Sequence, residues 1–271
     1  MTLSFLAISL LLFAFGMVIG SFLNVVIYRS ITGESWVIGW SKCEHCQHRI
    51  RWYDNVPLLS YVILRGKCRD CKKSIALTHP VLEIIMGSLF VWWYWFGAFF
   101  FELTKAPFQT IQPLFWLFVG ILLIVIVAAD LLYYIIPDEA VGLLLILTVS
   151  YRIALTLLGE MQLTDLIRSV IAMVLVFCFF GGLWLVTKGR GMGLGDVKLV
   201  VPLSLLLGWP KVFVGMFLAF IFGSVVSLLF ILFKRLKFGQ VVPFGPFLIL
   251  GTITALLYGE NLLQWYIGLI W

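Results

Sequence analysis

Long apolar runs alternate with short polar breaks along this chain of 271 residues. A run of about 20 apolar residues is long enough to cross a bilayer as a helix. The runs that the pattern predicts as spans are 2–28, 84–101 (in a helix that Pro80 opens), 113–136, 138–158, 166–187, 212–233 and 242–258. A further run, 199–208, is short and crosses only as a marginal or tilted helix that starts near Gly195. The pattern predicts an all-α polytopic membrane protein with about eight transmembrane helices.

Composition supports this fold class. Hydrophobic residues make up 62% of the chain, charged residues only 12%, and the mean hydropathy is +1.09. A soluble domain of this size does not need so much apolar surface, so soluble enzymes and soluble binding modules are excluded. The first run lacks the basic start and the small-residue cleavage site of a signal peptide, so we expect a retained helix. Gly16, Gly20, Ser21 and Asn24 within it predict a face that packs closely on another helix. The alternative for Asn24 is contact with the substrate or the catalytic groups.

The basic residues are concentrated in a few loops. The net charge is +6, and nine of the nineteen Lys and Arg residues lie between positions 29 and 73. Others follow the predicted spans 166–187 and 212–233, as Lys188 and Arg190 and as Lys234, Arg235 and Lys237. Cytoplasmic loops carry such an excess of Lys and Arg, so the charge reports membrane topology and does not indicate nucleic-acid binding. We expect these loops on the cytoplasmic side.

The first of these loops contains two C-x-x-C pairs, Cys43/Cys46 and Cys68/Cys71, separated by 21 residues. Two such pairs suit tetrahedral coordination of zinc by four thiolates. Paired disulfides are the alternative, and they form on the oxidising side of a membrane, whereas the basic loop is expected in the cytoplasm. Four thiolates close the zinc site and leave no position for an activated water, so the predicted metal is structural. The fifth cysteine, Cys178, is expected to be a packing residue.

Two aspartates lie within or beside apolar runs, where carboxylates are rare in membrane proteins. Asp130 lies nearly two turns inside its predicted helix, where a carboxylate costs about 2.5–3.5 kcal/mol without water or a partner. Asp196 follows three alternate glycines, Gly191, Gly193 and Gly195, which permit close approach of the backbone. The predicted topology brings both residues to the cytoplasmic edge of the bilayer. We therefore expect Asp130 and Asp196 to meet.

Two adjacent carboxyl groups cannot both ionise cheaply, so one keeps a proton near neutral pH. The ionised group accepts a proton from water as the water attacks a peptide carbonyl. The protonated group polarises that carbonyl and then protonates the leaving amine. The pair thus suits hydrolysis of a peptide bond, although the proton belongs to the pair and is not assigned to either residue.

Other charged residues have structural interpretations. Asp138 and Glu139 are expected to cap the helix that Pro137 opens, and Lys198 to contact lipid headgroups. Arg152, toward the far end of the same helix, is expected to extend outward along the membrane surface. Glu83, on the first turns of the helix after the cysteine loop, either lies in the headgroup layer or serves the catalytic site.

Several blocks in the chain resemble the prepilin peptidase family, the type IV leader peptidases of the wider G-x-G-D group of intramembrane aspartic proteases. In family order they are residues 20–29 (GSFLNVVIYR), the two cysteine pairs, 54–60 (DNVPLLS), 65–68 (RGKC), Asp130 with 136–138 (IPD), and 193–198 (GLGDVK). The resemblance implies Asp130 and Asp196 as the catalytic pair and Cys43, Cys46, Cys68 and Cys71 as metal ligands. It also implies a multi-pass protein of the bacterial inner membrane.

The same resemblance implies a substrate and a second activity. The substrates would be type IV prepilins or pseudopilins, cut after a short basic leader on the cytoplasmic side. Many members also N-methylate the new terminal residue with S-adenosylmethionine. No glycine-rich strand–turn–helix for such a cofactor is present in the sequence, and a loop of fewer than fifty residues cannot hold a conventional methyltransferase domain. Glu83 is a candidate for this second site, whose other residues stay unassigned.

The sequence divides into three parts on this interpretation: 1–29 as the first transmembrane helix, 30–78 as a cytoplasmic four-cysteine zinc-binding loop domain, and 79–271 as a transmembrane aspartic peptidase domain. A proton- or cation-coupled transporter is one alternative, but it predicts charged residues near mid-membrane on several helices. A membrane thiol oxidoreductase that uses the C-x-x-C pairs is the other, and bound zinc would exclude it. The sequence leaves the oligomeric state open.

Overall fold

A computed structural model describes residues 3–33, 39–100, 106–233 and 242–270. This described part folds into α-helices, with a single 3₁₀ turn at Trp52–Asn55 and two isolated β-bridges. The helices are α1 (Leu3–Thr32), α2 (Leu59–Ile63), α3 (Thr78–Phe100), α4 (Phe108–Tyr133), α5 (Asp138–Leu157), α6 (Leu163–Thr187), α7 (Leu194–Leu207), α8 (Lys211–Leu232) and α9 (Gly245–Ile270). Lys234, Arg235 and Lys237, which support the predicted topology, lie outside the described residues.

Seven helices of the described chain, α1, α3 to α6, α8 and α9, are long and apolar enough to cross a membrane. The predicted all-α polytopic fold is therefore confirmed. The short run before residue 208 forms α7, which has 14 residues. A helix of that length extends about 21 Å, whereas the hydrocarbon core is about 30 Å thick. For this reason α7 is not among the seven candidate spans.

Several predicted helix boundaries differ from the structure. α4 ends at Tyr133, three residues before the predicted end at 136, so Asp130 lies in its last turn and not nearly two turns inside the helix. The hydropathy pattern predicts the last helix over 242–258, but α9 begins at Gly245 and continues to Ile270, so the C-terminal tail extends the helix. Its start follows the sequence Pro243-Phe-Gly-Pro246, in which Pro246 occupies a first-turn position that tolerates proline. The fourth helix begins at Phe108, directly after Pro107 and five residues earlier than expected.

The chain forms two compact units, Met1–Val125 and Ile126–Trp271. In the first unit α1 packs closely on α3. A Cβ atom added at Gly16 would lie 2.7 Å from the carbonyl oxygen of Met86, and one added at Gly20 would lie 2.8 Å from Cα of Glu83. The side-chain amide of Asn24 donates a hydrogen bond to the carbonyl of His79. The predicted packing face of the first helix is confirmed.

The second unit is built around α7. This helix contacts α5, α6, α8 and α9, and its residues Leu199, Val200 and Leu203 have no exposed surface. The contact between α8 and α9 depends on Gly251 of α9, because a Cβ atom added there would overlap the backbone of α8 at Gly215 and Ala219. Neighbouring helices therefore enclose α7, and it forms the core of this unit.

Candidate active site and metal centre

Asp196 occupies the third position of α7. The backbone N–H of Gly193, the residue before the helix, donates a hydrogen bond of 3.2 Å to Oδ2 of Asp196. Side chains in the first turn of a helix satisfy N–H groups that lack intrahelical partners, which explains this arrangement. Oδ1 is buried and has no hydrogen-bond partner among the described residues. A buried carboxylate oxygen without a partner is available for a substrate or a water molecule.

Asp130 lies in the last turn of α4, and its partner belongs to another helix. The backbone N–H of Gly245, the first residue of α9, donates a hydrogen bond of 3.0 Å to Oδ2 of Asp130. A Cβ atom at position 245 would lie 2.6 Å from that oxygen. Position 245 therefore requires glycine for the carboxylate to reach the backbone. Gly245 was not among the residues predicted from the sequence, where the Pro-Phe-Gly-Pro helix start was the available signal.

The structure brings Asp130 and Asp196 into one site. Both are buried, with 5% and 7% of their surface exposed, and they lie close enough to interact electrostatically. The side chain of Ile136 lies near both glycines of the site, because a Cβ atom added at Gly195, next to Asp196, would come within 3.0 Å of it and one added at Gly245 within 3.3 Å. The predicted meeting of the two aspartates is therefore seen in the fold, whereas their catalytic role stays a prediction.

Two helix N-termini point at this pair of carboxyl groups. Asp130 lies at the start of α9, and Asp196 lies in the first turn of α7. The positive end of a helix dipole and the free N–H groups stabilise a carboxylate. Burial and the like charge of the neighbour act in the opposite direction. The helix N-termini thus stabilise one negative charge on the pair, whereas burial and charge repulsion disfavour ionisation of the second carboxyl group.

A surface ion pair lies next to the site. Nζ of Lys198, on α7, is 2.8 Å from both carboxylate oxygens of Asp138, the first residue of α5. The roles expected from the sequence, headgroup contact for Lys198 and capping for Asp138, do not include this contact. The ion pair joins the start of α5 to α7 close to Asp196.

Arg152 points into the second unit, contrary to the expectation that it extends outward. Its Nε donates to the carbonyl of Leu205 at 2.8 Å and its Nη2 to the carbonyl of Leu206 at 3.2 Å. Nη1 is 3.4 Å from Sδ of Met161. The last carbonyls of a helix have no intrahelical partners, and a cation at that end also meets the negative end of the dipole. Arg152 thus caps the C-terminus of α7.

The first unit contains the four predicted metal ligands in two matching turns. In each turn the N–H of the first cysteine bonds to the carbonyl five residues later, from Cys43 to His48 and from Cys68 to Lys73. In each, the residue after the second cysteine has a left-handed backbone, with φ of 57° at Gln47 and 59° at Lys72. The two turns therefore present their thiols in the same way.

The four sulfur atoms fit a zinc ion. They lie within 4.8 Å of one another, and Sγ of Cys43 is 3.9 Å from Sγ of Cys71. Tetrahedral zinc with bonds of about 2.3 Å places its sulfur ligands about 3.8 Å apart. All four cysteines are free thiols, so the disulfide alternative does not apply to this structure. Cys178 was expected to be a packing residue, but its side chain is exposed on α6, and it belongs to no such cluster among the described residues.

Further polar contacts hold the loop that joins the two turns. Arg69 donates two hydrogen bonds, of 2.8 and 2.6 Å, to the carboxylate of Asp54, and these hold the pKa of Asp54 below its ordinary value. Glu83 of α3 is buried and accepts a hydrogen bond of 2.7 Å from the N–H of Leu58. Glu83 therefore fixes the loop to α3, and its side chain is enclosed by protein.

Comparison with known proteins matches the chain to two family descriptions and to curated relatives. Residues 14–96 match the bacterial peptidase A24 N-terminal domain, and residues 116–228 match the type IV leader peptidase family. A prepilin leader peptidase/N-methyltransferase of Aeromonas hydrophila is 30% identical over 95% of this chain and 93% of the relative. The protein of that name from Stutzerimonas stutzeri is 30% identical over 97% and 94%. One from Pseudomonas aeruginosa is 28% identical over 93% and 91%. No solved structure matches the chain.

Proposed function

This chain belongs to the type IV leader peptidase family, and we propose that Asp130 and Asp196 are the catalytic pair with which it cleaves the leader peptide of type IV prepilins or pseudopilins. Similarity over almost the full length of curated prepilin leader peptidase/N-methyltransferases supports the activity. The observation that carries the residue assignment is the burial of two carboxyl groups in one site at two helix N-termini. The chain is thus an aspartic endopeptidase of the membrane.

The chemistry proposed for this site needs only water and the two carboxyl groups. The ionised carboxylate takes a proton from water as the water attacks the scissile carbonyl. The protonated partner donates a hydrogen bond to the carbonyl oxygen and then a proton to the leaving amine. The N–H groups of Gly193 and Gly245 hold one oxygen of each aspartate, which leaves the second oxygen of Asp196 directed to the reaction.

Zinc has a structural role in this proposal. Cys43, Cys46, Cys68 and Cys71 would hold the ion and thereby join the two turns of the loop. The fit of four thiols within 4.8 Å supports this assignment. Four protein ligands fill a tetrahedral site, so the ion would supply no bound water for hydrolysis.

The name of the relatives adds an N-methyltransferase activity, for which we propose S-adenosylmethionine as the methyl donor. The described residues contain no strand–turn–helix unit of the kind that binds dinucleotides, since their only β-structure is two isolated bridges. The donor site is therefore not assigned to any residue. Glu83 has a different role among the described contacts, because it fixes Leu58.

The seven long apolar helices make the chain a multi-pass membrane protein. We place it in the bacterial inner membrane, in contact with lipid, with the cysteine loop and both aspartates on the cytoplasmic side. The excess of basic residues in the loop supports this orientation. The proposed parts remain 1–29 as the first helix, 30–78 as the zinc loop, and 79–271 as the peptidase domain.

Incubation of the purified protein in lipid nanodiscs with a prepilin precursor tests the function. We expect mass spectrometry to find one cut at the end of the leader, and a gain of one methyl group at the new N-terminus when S-adenosylmethionine is added. A precursor that stays intact would refute the peptidase. Cleavage without a methyl gain would refute the methyltransferase alone. An intact precursor together with proton flux across the bilayer would favour a transporter.

A further inference from the structure

Residues 135–137 form a short non-helical connection between α4 and α5, beside the two aspartates. Tyr134, the first residue after α4, has a left-handed backbone (φ 56°), so the chain turns out of the helix there. Pro137 has an extended backbone, with φ of −65° and ψ of 124°, and a residue before proline is driven toward the extended region as well. The stretch at Ile135 and Ile136 is thus held out of helical geometry by its two neighbours.

The C=O group of Pro137 accepts a hydrogen bond from the N–H of Val141, whereas the two isoleucines before it have unpaired backbone groups in the described part of the chain. Among the described residues, the N–H and C=O groups of Ile135 and Ile136 take part in no hydrogen bond. Ile135 is also 49% exposed, and exposed apolar side chains precede it in the chain at Leu131 and Tyr134. Unpaired backbone groups next to an apolar surface are costly unless another molecule satisfies them. An extended segment in this state is a template for pairing with a second chain.

The stretch has a fixed place relative to the catalytic pair. The side chain of Ile136 lies against Gly195, where a Cβ atom would come within 3.0 Å of it, and against Gly245, where a Cβ atom would come within 3.3 Å. Gly195 precedes Asp196, and Gly245 donates to Asp130. A peptide that ran alongside residues 135–137 would therefore pass the two carboxyl groups.

We propose that the substrate segment around the scissile bond binds as an extended strand along residues 135–137, through backbone hydrogen bonds with Ile135 or Ile136. The proposal rests on the peptidase function and deepens it, because it names how the substrate is held. A helical substrate keeps its carbonyls bonded within itself, whereas an extended one exposes the scissile carbonyl to attack. Strand addition recognises the extended backbone of the bound segment through main-chain hydrogen bonds.

Binding as an extended strand determines which backbone N–H groups of the substrate can bond to the enzyme. Successive N–H groups of a strand point to opposite sides, so only every second residue can bond to the enzyme. The backbone N–H groups of the substrate near the cut should therefore differ in importance with a period of two. Recognition through side chains alone does not predict this periodic dependence on backbone N–H groups.

Synthetic precursors with single amide-to-ester replacements test this. Each ester removes one backbone N–H, and the scissile amide itself is left intact. We expect an ester at the one flanking position whose N–H bonds to Ile135 or Ile136 to lower kcat/KM about threefold to tenfold, the range for one hydrogen bond, with little change at the positions on either side of it. Esters placed about ten residues from the cut, beyond the reach of a three-residue ladder, are the matched control and should change nothing. A uniform loss at all flanking positions, or no loss above about twofold at any, would overturn the strand proposal.

The unmodified precursor separates this result from the function itself. Cleavage of that peptide by the parent enzyme, and none by Asp196→Asn, keeps the peptidase proposal in place whatever the esters do. If the unmodified peptide is not cut, or Asp196→Asn cuts it, the peptidase proposal fails and the strand proposal fails with it.

Discussion

The N–H of Gly245 donates a hydrogen bond of 3.0 Å to Oδ2 of Asp130, across 115 residues of sequence. A Cβ atom at position 245 would overlap this oxygen at 2.6 Å. We therefore expect Gly245→Ala to displace the carboxyl group and to lower the rate of leader cleavage about 10- to 100-fold, since a shift near 1 Å at a reacting group has effects of that size.

The matched control for this change is Gly142→Ala on α5, where an added Cβ meets nothing within 4 Å. It should leave cleavage within about twofold of the parent enzyme, because it adds no contact. Kinetics of precursor cleavage in nanodiscs measure both variants. Equal rates for the two would show that the geometry at Gly245 is not needed.

Asp130→Asn and Asp196→Asn should each reduce cleavage by at least about 10³-fold, because an amide can neither accept the proton of water nor donate one to the leaving amine. Both variants should insert and unfold at temperatures close to that of the parent. Asp165→Asn serves as control, since this exposed residue on α6 pairs only with Arg168 among the described ion pairs. Retention of substantial cleavage by either dyad variant would refute the assignment.

Replacement of Cys43 and Cys46 together by Ser should remove most of the bound zinc and lower the thermal stability of the loop. Two of four thiolates are lost, and metal binding to such sites is coupled to folding. Metal analysis of the purified protein and thermal unfolding measure the effect. Cys178→Ser, which removes a thiol outside the cluster, should keep the zinc content of the parent. An unchanged zinc content in the double variant would contradict the ligand set.

Arg152→Met should destabilise the second unit. The guanidinium bonds the carbonyls of Leu205 and Leu206, and a hydrogen bond to a charged group contributes about 1.5–3 kcal/mol. Thermal unfolding in detergent, followed by tryptophan fluorescence, measures the change. Arg168→Met is the control, because Arg168 is a surface residue with a 3.6 Å ion pair. A lower melting temperature for the control than for Arg152→Met would argue against the capping role.

Removal of the Lys198–Asp138 pair should have a small effect. The two side chains are 45% and 67% exposed, and exposed pairs contribute about 0.2–1 kcal/mol. We expect Lys198→Met and Asp138→Asn each to lower cleavage less than about fivefold, with a coupling in the double variant that decreases as salt is added. Abolition of activity by either change would indicate a direct catalytic role instead.

The spans and the two chemical clusters could be predicted from the sequence because their signals are local. Apolar runs mark the helices, C-x-x-C spacing marks the metal turns, and Asp130 and Asp196 are conspicuous as carboxylates within apolar surroundings. The partners of those residues could not be predicted. Gly245 and the contact between Lys198 and Asp138 depend on which distant segments pack together, and no pattern within one helix records that.

Arg152 and the ends of α9 show the same limit. A long basic side chain near a helix end can extend to the membrane surface or turn inward, and the choice depends on the free carbonyls of α7, which are supplied 53 residues later in the chain. The start of α9 depends on Gly245 and Pro246, whereas hydropathy alone marks the apolar run and not its first helical residue. Tertiary contacts determine these details.

Because α5, α6, α8 and α9 surround α7, the helix that carries Asp196 has little contact with acyl chains. Its surrounding helices adjust to bilayers of different thickness by tilting, at a cost of fractions of a kcal/mol per ångström. The depth of the catalytic acid is therefore set by protein neighbours and not by lipid. The rate of cleavage should accordingly be similar in nanodiscs made from short and from long phospholipids. An active-site helix that faced the lipid would be more sensitive to bilayer thickness.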